Sequence, residues 1–295
     1  MSPWRAERDR WAFSLRIALR IALALFAALA ASGCRRASGA PLVARRVVSI
    51  SASTTEALFA IGAGDRVVGR SRYDDYPKEA LDLPTVGGFV DPNLEAILAL
   101  RPDLVVGARG PLGPGFARTL DDHGIVTYFP ETERFEQILA MIEGLGARTD
   151  HVDAAARVTS AMRARREAIT AALSSASRPR VLLVFAAQPI SVAGPLSFAD
   201  EMITLAGGVN AMTTGAPYPM IALETAIALD PDVILHAEMG AGAAASLGGP
   251  WSAVRAVREG HVVHIEDEAV LRPGPRVLDG VAILARAIHP QIMVP

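Results

Sequence analysis

The sequence predicts an α/β protein of two similar lobes, each built on a parallel sheet, joined by one long backbone helix. Three observations predict it. A pattern of short helix, Pro-Asp break and fully apolar strand occurs twice, at Asn93–Val106 and again at Ala222–Leu235. Half a chain separates the copies, too far for a solenoid period, so they mark two lobes rather than a repeat array. Short β-branched runs alternate with helical segments along both halves, the order that builds parallel sheets. Between the halves, residues 150–176 carry no strand signal and little Gly or Pro, and read as one helix.

The 295 residues suffice for one large or two ordinary domains. The chain is half hydrophobic, poor in aromatics and has a formal net charge of −2. Disorder is excluded, and nothing electrostatic favours nucleic acid. Residues 1–33 differ from the rest: Arg5, Arg8, Arg10, Arg16 and Arg20 precede an apolar run from Ile21 to Ala31, then Ser32-Gly33-Cys34. A basic start, a short apolar segment and small residues at its end describe an export signal, too short to span a membrane. Cys34, the only cysteine, has no disulfide partner within the chain. Removing residues 1–33 leaves 24 basic against 29 acidic side chains, a net charge of about −5. Residues 34–44 then read as a tether, 45–148 as the first lobe, 149–177 as the connecting helix and 178–295 as the second lobe.

Each element has a reason. Arg46–Ser51 is a short buried strand, followed by a helix Thr55–Ile61 that Ser53 or Thr54 can cap and Gly62-Ala63-Gly64 ends. Val67–Gly69 is a second strand, leading into the loops Arg70–Pro77 and Val86–Phe89. In the first repeat Glu95 lies in the helix's first turn, and the strand 104–106 follows Pro102-Asp103. The glycine-rich segment 107–115 is no phosphate cradle, because no Gly-Lys-Ser/Thr follows it. Helix Phe116–His123, strand Ile125–Phe129 and helix Phe135–Leu145 complete the lobe. On the connector, Val152, Ala155, Ala156, Thr159, Met162, Ile169 and Leu173 fall near one face. The second lobe replays the first: strand Arg180–Phe185, helix Phe198–Leu205, the linker Ala216–Pro219, the repeat with Glu224 in its first turn, and strand Val233–His236. A Gly/Ala loop at 240–249, helix Trp251–Glu259, strand His261–Ile265 and a terminal helix Pro275–Ile288 finish it. Ligands of such sheets bind beyond the carboxyl ends of the strands, so the inter-lobe cleft is the expected site.

Gly-x-Ser-x-Gly, His-Glu-x-x-His and Cys-x-x-Cys are all missing, which argues against an enzyme. A zinc or manganese clamp needs several histidines and carboxylates on the cleft, and only His236 is well placed. At a strand end, His236 is either an axial ligand to iron or cobalt or simply a hydrogen-bonded side chain. His123, His151, His261, His264 and His289 read as structural or solvated, and Trp251 as packing.

Taken together, Ser71-Arg72-Tyr73-Asp74-Asp75-Tyr76-Pro77, Asn93–Val106, Leu223–Leu235 and Arg272-Pro273-Gly274-Pro275-Arg276 resemble the substrate-binding proteins of ABC importers for vitamin B12, haem and ferric siderophores. The resemblance runs from about Arg45 to Pro290 and is strongest toward the cobalamin branch, through Tyr-x-Asp-Tyr-Pro and Tyr218 between two prolines. It implies the class III periplasmic binding fold, with Rossmann-like lobes on a helical backbone, and a monomer that captures a corrinoid and delivers it to a permease dimer. Haem or a ferric siderophore is the alternative ligand. No cofactor, metal or nucleic acid is implied. Tyr73, Phe89, Phe185, Tyr218 and Arg272 fall at ligand-lining positions, with core packing as the alternative for the aromatics. A tryptophan often found after the strand 104–106 is replaced by Ala108-Arg109, and Phe89 and Tyr218 also stand where tryptophans are expected. Glu95 and Glu224 fall where the family docks onto permease arginines. As bare residues they are equally first-turn acids that favour the helix dipole. Cys34 falls where lipoproteins carry their lipid, implying a periplasmic or envelope protein anchored there, although Ala31 replaces the usual leucine.

Overall fold

The computed structural model describes residues 43–110, 113–237 and 247–295. The export-signal segment, Cys34 and most of the tether and of the Gly/Ala loop lie outside them. From Val43 to Pro295 the chain is one compact unit. Four strands form the first sheet: β1 (Val47–Ser49), β2 (Val67–Gly69), β3 (Leu104–Val106) and β4 (Val126–Tyr128), in the order β2-β1-β3-β4 and all parallel. Its helices are α1 (Ala52–Ala60), α2 (Leu94–Ala99), α3 (Gly113–Asp122) and α4 (Phe135–Thr149). After a left-handed break at Asp150 comes α5 (Val152–Ala172), the connector.

The second sheet takes β5 (Arg180–Ala187), β6 (Ile190–Val192), β7 (Val209–Asn210), β8 (Val233–His236) and β9 (Val262–His264). Its order is β6-β5-β8-β9, with β7 beside the start of β5. The helices are α6 (Phe198–Leu205), α7 (Leu223–Leu229), α8 (Arg255–Arg258) and α9 (Val277–Ile288). Parallel strands were expected throughout, yet β6 runs antiparallel to β5, joined to it by Gln188-Pro189 alone. Only two residues separate the strands, enough for a hairpin and too few for a parallel crossover. The expected helix Trp251–Glu259 divides into a 3-10 turn, Gly249–Ala253, and α8.

Alternation along the strands gives each sheet two buried faces. Val47, Leu104, Val106, Val181, Leu183 and Leu235 face one continuous core that also takes Phe135, Ile138 and Ile142 of α4 and Val281 and Leu284 of α9. The opposite faces are separate: Val48, Val105, Ile97 and Leu120 in the first lobe, Leu182, Val184, Ile234, Ala226 and Trp251 in the second. The repeat helices α2 and α7 thus cover equivalent outer faces.

The connector is 21 residues, about 31 Å of unbroken helix. Its buried stripe is Ala155, Thr159, Met162 and Ile169, continued by Leu173. Val152 and Ala156, expected on that stripe, are exposed. Arg166 occupies the stripe position between Met162 and Ile169, laying its guanidinium 4.7 Å from the centre of the Phe135 ring. Arg163 and Arg166 pair with Glu143 and Glu136 of α4, while Arg165 pairs with Asp279 of α9, so the connector is tied to both lobes.

Candidate functional site

The repeat is duplicated down to its hydrogen bonds. Each repeat helix ends at a left-handed residue, Arg101 (φ 47) or Asp230 (φ 41), just before Pro-Asp. The Asp103 carboxylate then accepts the backbone N–H groups of Arg45 (2.8 Å) and Arg46 (3.0 Å), and Asp232 accepts that of Arg180 (2.8 Å). In return, the Arg46 guanidinium donates to the Leu100 carbonyl (2.7 Å) and that of Arg180 to the Leu229 carbonyl (2.8 Å). Carboxylate and guanidinium together satisfy the start of the central strand and the end of the repeat helix. The N–H of Arg180 and the guanidinium of Arg255 hold the Asp232 carboxyl below the usual carboxylate range. This device aims both repeat helices alike, and each presents its glutamate outward. Glu95 and Glu224 are exposed. Among the described residues neither has an ion pair or hydrogen-bond partner.

The two motifs that carried most of the resemblance clasp each other across the lobes. From the second lobe, Arg276 grips Glu56 of α1 with two bonds, Nε to Oε2 at 2.9 Å and Nη2 to Oε1 at 2.7 Å. Arg272 approaches the same carboxylate at 3.3 Å, pairs with Asp75 and with Glu268, and donates to the Tyr73 carbonyl at 3.3 Å. The Arg276 guanidinium also lies 4.2 Å from the centre of the Tyr76 ring. Glu56 is 2% exposed, and the bidentate guanidinium gives both of its buried oxygens a donor. Burial works against a charge on Asp75, but Arg272 holds its carboxyl below the usual range.

Beneath this clasp lies Asp74, also 2% exposed. Its Oδ2 accepts from the Thr55 hydroxyl (2.5 Å) and the Ser71 N–H (3.2 Å), while its Oδ1 is buried without a partner. Burial outweighs these bonds and the charges of Arg70 and Arg272, and pushes its pKa up to about 6. The adjoining end of β1 is lined by hydroxyls: Thr54 meets Ser49 at 2.7 Å and Ser51 at 2.9 Å. Ser51, not Ser53 or Thr54, is the N-cap residue of α1, and its side chain makes no capping bond; it accepts the Ala108 N–H instead.

A second inter-lobe contact joins two helix starts. Glu133, just before α4, accepts the Phe198 N–H of α6 (2.5 Å), and Glu201 of α6 accepts the Phe135 N–H of α4 (3.4 Å). Arg134 pairs with Glu201 at 3.1 Å. Each lobe therefore caps a helix of the other.

The aromatic candidates divide by lobe. Phe185, at the carboxyl-terminal end of β5, and Tyr218 lie together, their ring centres 6.0 Å apart. Tyr218 is 49% exposed, and its hydroxyl donates to Glu133 at 2.9 Å. Burial of that end of the ring and the Glu133 charge push its pKa well above the ordinary phenol value. On the first lobe Tyr73 is 57% exposed, with the Arg72 guanidinium 5.7 Å from its ring centre. Phe89 is half-buried and lies so close over Gly110 that a Cβ there would fall 2.0 Å from its ring. A shallow depression lined by Arg72, Thr85, Gly87, Asp91 and Asn93 adjoins them, but it draws on one lobe alone. Arg109, standing where a tryptophan was expected, pairs with Glu131 at 2.8 Å. The ring of His236 is buried, with Nδ1 3.3 Å from that of His264, an arrangement that favours the hydrogen-bonded reading. Trp251 is buried with Leu247 and Val254, as packing.

Reading the sequence missed Glu56, Asp74, Glu133 and Arg134. Of these only Asp74 carried a signal, its place beside Tyr73 in the loop Arg70–Pro77.

Two lobes of mainly parallel sheet on one backbone helix, with exposed aromatics on both, define a two-lobed ligand-binding clamp. The chain belongs to the periplasmic binding protein family, whose model matches residues 47–269. It is 29% identical over 241 residues to a vitamin B12-binding protein of Vibrio parahaemolyticus, covering 80% of this chain and 86% of that one. Among solved structures it superposes on the periplasmic vitamin B12-binding protein of Vibrio cholerae with a TM-score of 0.76 at 27% identity, over 84% of this chain and 98% of that one. A periplasmic haem-binding protein of Pseudomonas aeruginosa gives 0.74 at 29% identity, over 85% and 94%. No helix of the described residues is long and apolar enough to cross a membrane.

Proposed function

We propose that this chain is the extracytoplasmic substrate-binding protein of an ABC importer, which captures a corrinoid in the inter-lobe cleft and hands it to a permease dimer. The observation that carries the ligand class is the exposure of large rings on both lobes: Tyr73 on the first and Tyr218, beside Phe185, on the second. A flat macrocycle needs apolar faces and few fixed polar groups around its edge. Phe89 supplies a further ring on the first lobe. Arg272 is engaged by three carboxylates, so its part is to hold the cleft floor, and direct contact with ligand requires it to exchange a partner. Haem is the second reading, favoured by the near-equal likeness to a haem-binding structure; a ferric siderophore would use the same cleft. The chain acts as an exported monomer held to the envelope through a lipid on Cys34, and mass spectrometry of its mature N-terminus tests this.

Absorbance decides the ligand. Mixed with cyanocobalamin and desalted, the protein should retain a corrin spectrum at one ligand per chain. Failure to retain it, with a Soret band retained after haemin, would replace the corrinoid by haem. Tyr73→Ala and Tyr218→Ala should each weaken binding by about 1–3 kcal/mol, the cost of lost stacking. Calorimetry showing unchanged affinity in both would remove these rings from the site.

A further inference from the structure

Tyr218 is held at its backbone and at its hydroxyl but hardly in between. Its flanking prolines are fixed: the Pro217 carbonyl accepts the Gly194 N–H at 2.8 Å, and the Pro219 carbonyl accepts the Val192 N–H at 3.2 Å. The ring itself is half-exposed, with Phe185 tilted 50° to it as its aromatic neighbour. Packing on one side leaves such a ring free to change rotamer. What fixes it is the hydroxyl, which donates to Oε2 of Glu133 on the opposite lobe.

Glu133 is a firm anchor. The same Oε2 accepts the first N–H of α6, so the carboxylate is a charge-assisted cap at a helix start. Its neighbour Arg134 pairs with Glu201 on that helix, which fixes the chain carrying Glu133. The Phe198 N–H also lies 3.3 Å from the Tyr218 hydroxyl, closing a three-membered set. Tyr218 is thus oriented by the far side of the cleft.

Resting on the reading of Tyr218 as a ligand-facing ring, we propose that Glu133 is a positioning residue for the cleft. It fixes the Tyr218 ring in the orientation in which ligand meets it, and so makes ligand affinity depend on the register of the two lobes. The bond to Tyr218, rather than the helix cap, carries this effect.

A double-mutant cycle tests it. Binding of cyanocobalamin and of haemin is titrated with wild type, Glu133→Ala, Glu133→Gln, Tyr218→Phe, Tyr218→Ala and the Glu133→Ala/Tyr218→Phe double variant, with thermal melts in parallel. Glu133→Ala and Tyr218→Phe should each weaken the probe that binds by about 3- to 10-fold, the cost of ordering one side chain. The double variant should be no weaker than either, and Glu133→Gln, whose amide oxygen still accepts the hydroxyl, should bind like wild type. The melting temperature should fall with Glu133→Ala equally in both backgrounds, because the α6 cap is lost in both. Additive losses of affinity would overturn the proposal, as would unchanged affinity in Glu133→Ala alongside a loss in Tyr218→Ala; the cleft would stand in either case. Wild-type affinity in Tyr218→Ala would remove that ring from the site and the proposal with it, and binding of neither probe would remove the corrinoid and haem readings and the proposal together.

Discussion

Asp74 and Glu56 are both carboxylates buried at the junction of the lobes, yet they differ in what meets them. Arg276 satisfies both oxygens of Glu56, whereas one oxygen of Asp74 has no donor. Burial therefore dominates at Asp74 and raises its pKa to about 6. The sign follows directly. A folded-state pKa above the unfolded value near 3.8 means that the fold prefers the protonated acid. Its contribution to stability is complete below the unfolded pKa and is lost as pH rises through 6. Urea unfolding should show wild type losing on the order of 3 kcal/mol between pH 4 and pH 7 from this group. Asp74→Asn, which keeps an oxygen for Thr55 and Ser71 but cannot ionise, should remove that part of the slope. Parallel pH profiles for the two proteins would show that Asp74 is not the titrating group.

The repeated helix–Pro-Asp–strand element is a structural device before it is anything else. In each copy, one carboxylate receives the backbone of the central strand and one arginine from that strand closes the end of the helix. Asp103→Ala strips the acceptor from two backbone N–H groups, and should cost about 1–3 kcal/mol by chemical denaturation. Asp103→Asn, which keeps one acceptor oxygen, should cost less. Equal stability of Asp103→Ala and wild type would mean that water replaces the carboxylate freely. The glutamates belong to the same element. A helix of six or seven residues leaves little latitude in where Glu95 and Glu224 project, so what aims the helices also fixes the carboxylates.

For the whole molecule, stiffness comes from three places. The connector is a single helix salt-bridged to both lobes, Glu56 is clasped by Arg272 and Arg276, and α4 and α6 cap each other. Hinge closure normally uses loop residues that absorb changes in φ and ψ, and here the linking segment is helical. Small-angle scattering with and without ligand should show no measurable compaction; a clear drop in the radius of gyration would contradict this. Two exposed carboxylates on equivalent elements suit a partner with twofold symmetry, and bidentate arginine pairing would fix the orientation. Glu95→Arg with Glu224→Arg should leave melting temperature and ligand affinity nearly unchanged while abolishing uptake. If the acids serve only the helix dipole, the double variant instead loses about 0.3–1 kcal/mol per site and transports normally.

Local periodicity and punctuation determined a great deal of this protein. The places of most strands, the connector, the doubled element and its first-turn glutamates were legible from apolar β-branched runs, helical spacing and Pro-Asp breaks, because those signals act within a few residues. The tertiary structure decided the rest. α1 has buried residues from Ser53 through Leu58 because the core covers one side and residues of the second lobe meet the other, so its hydroxyls and Glu56 carry no apolar stripe to read. Glu56 looks like an ordinary surface acid until Arg276, 220 positions away, reaches it. Arg272 falls at a ligand-lining position by resemblance, but is claimed by carboxylates from both lobes. β6 reverses direction because a two-residue link permits nothing else. Apart from that local hairpin, each case turns on a long-range pairing of charges, and such pairings leave no periodic trace because their partners meet only when the lobes do.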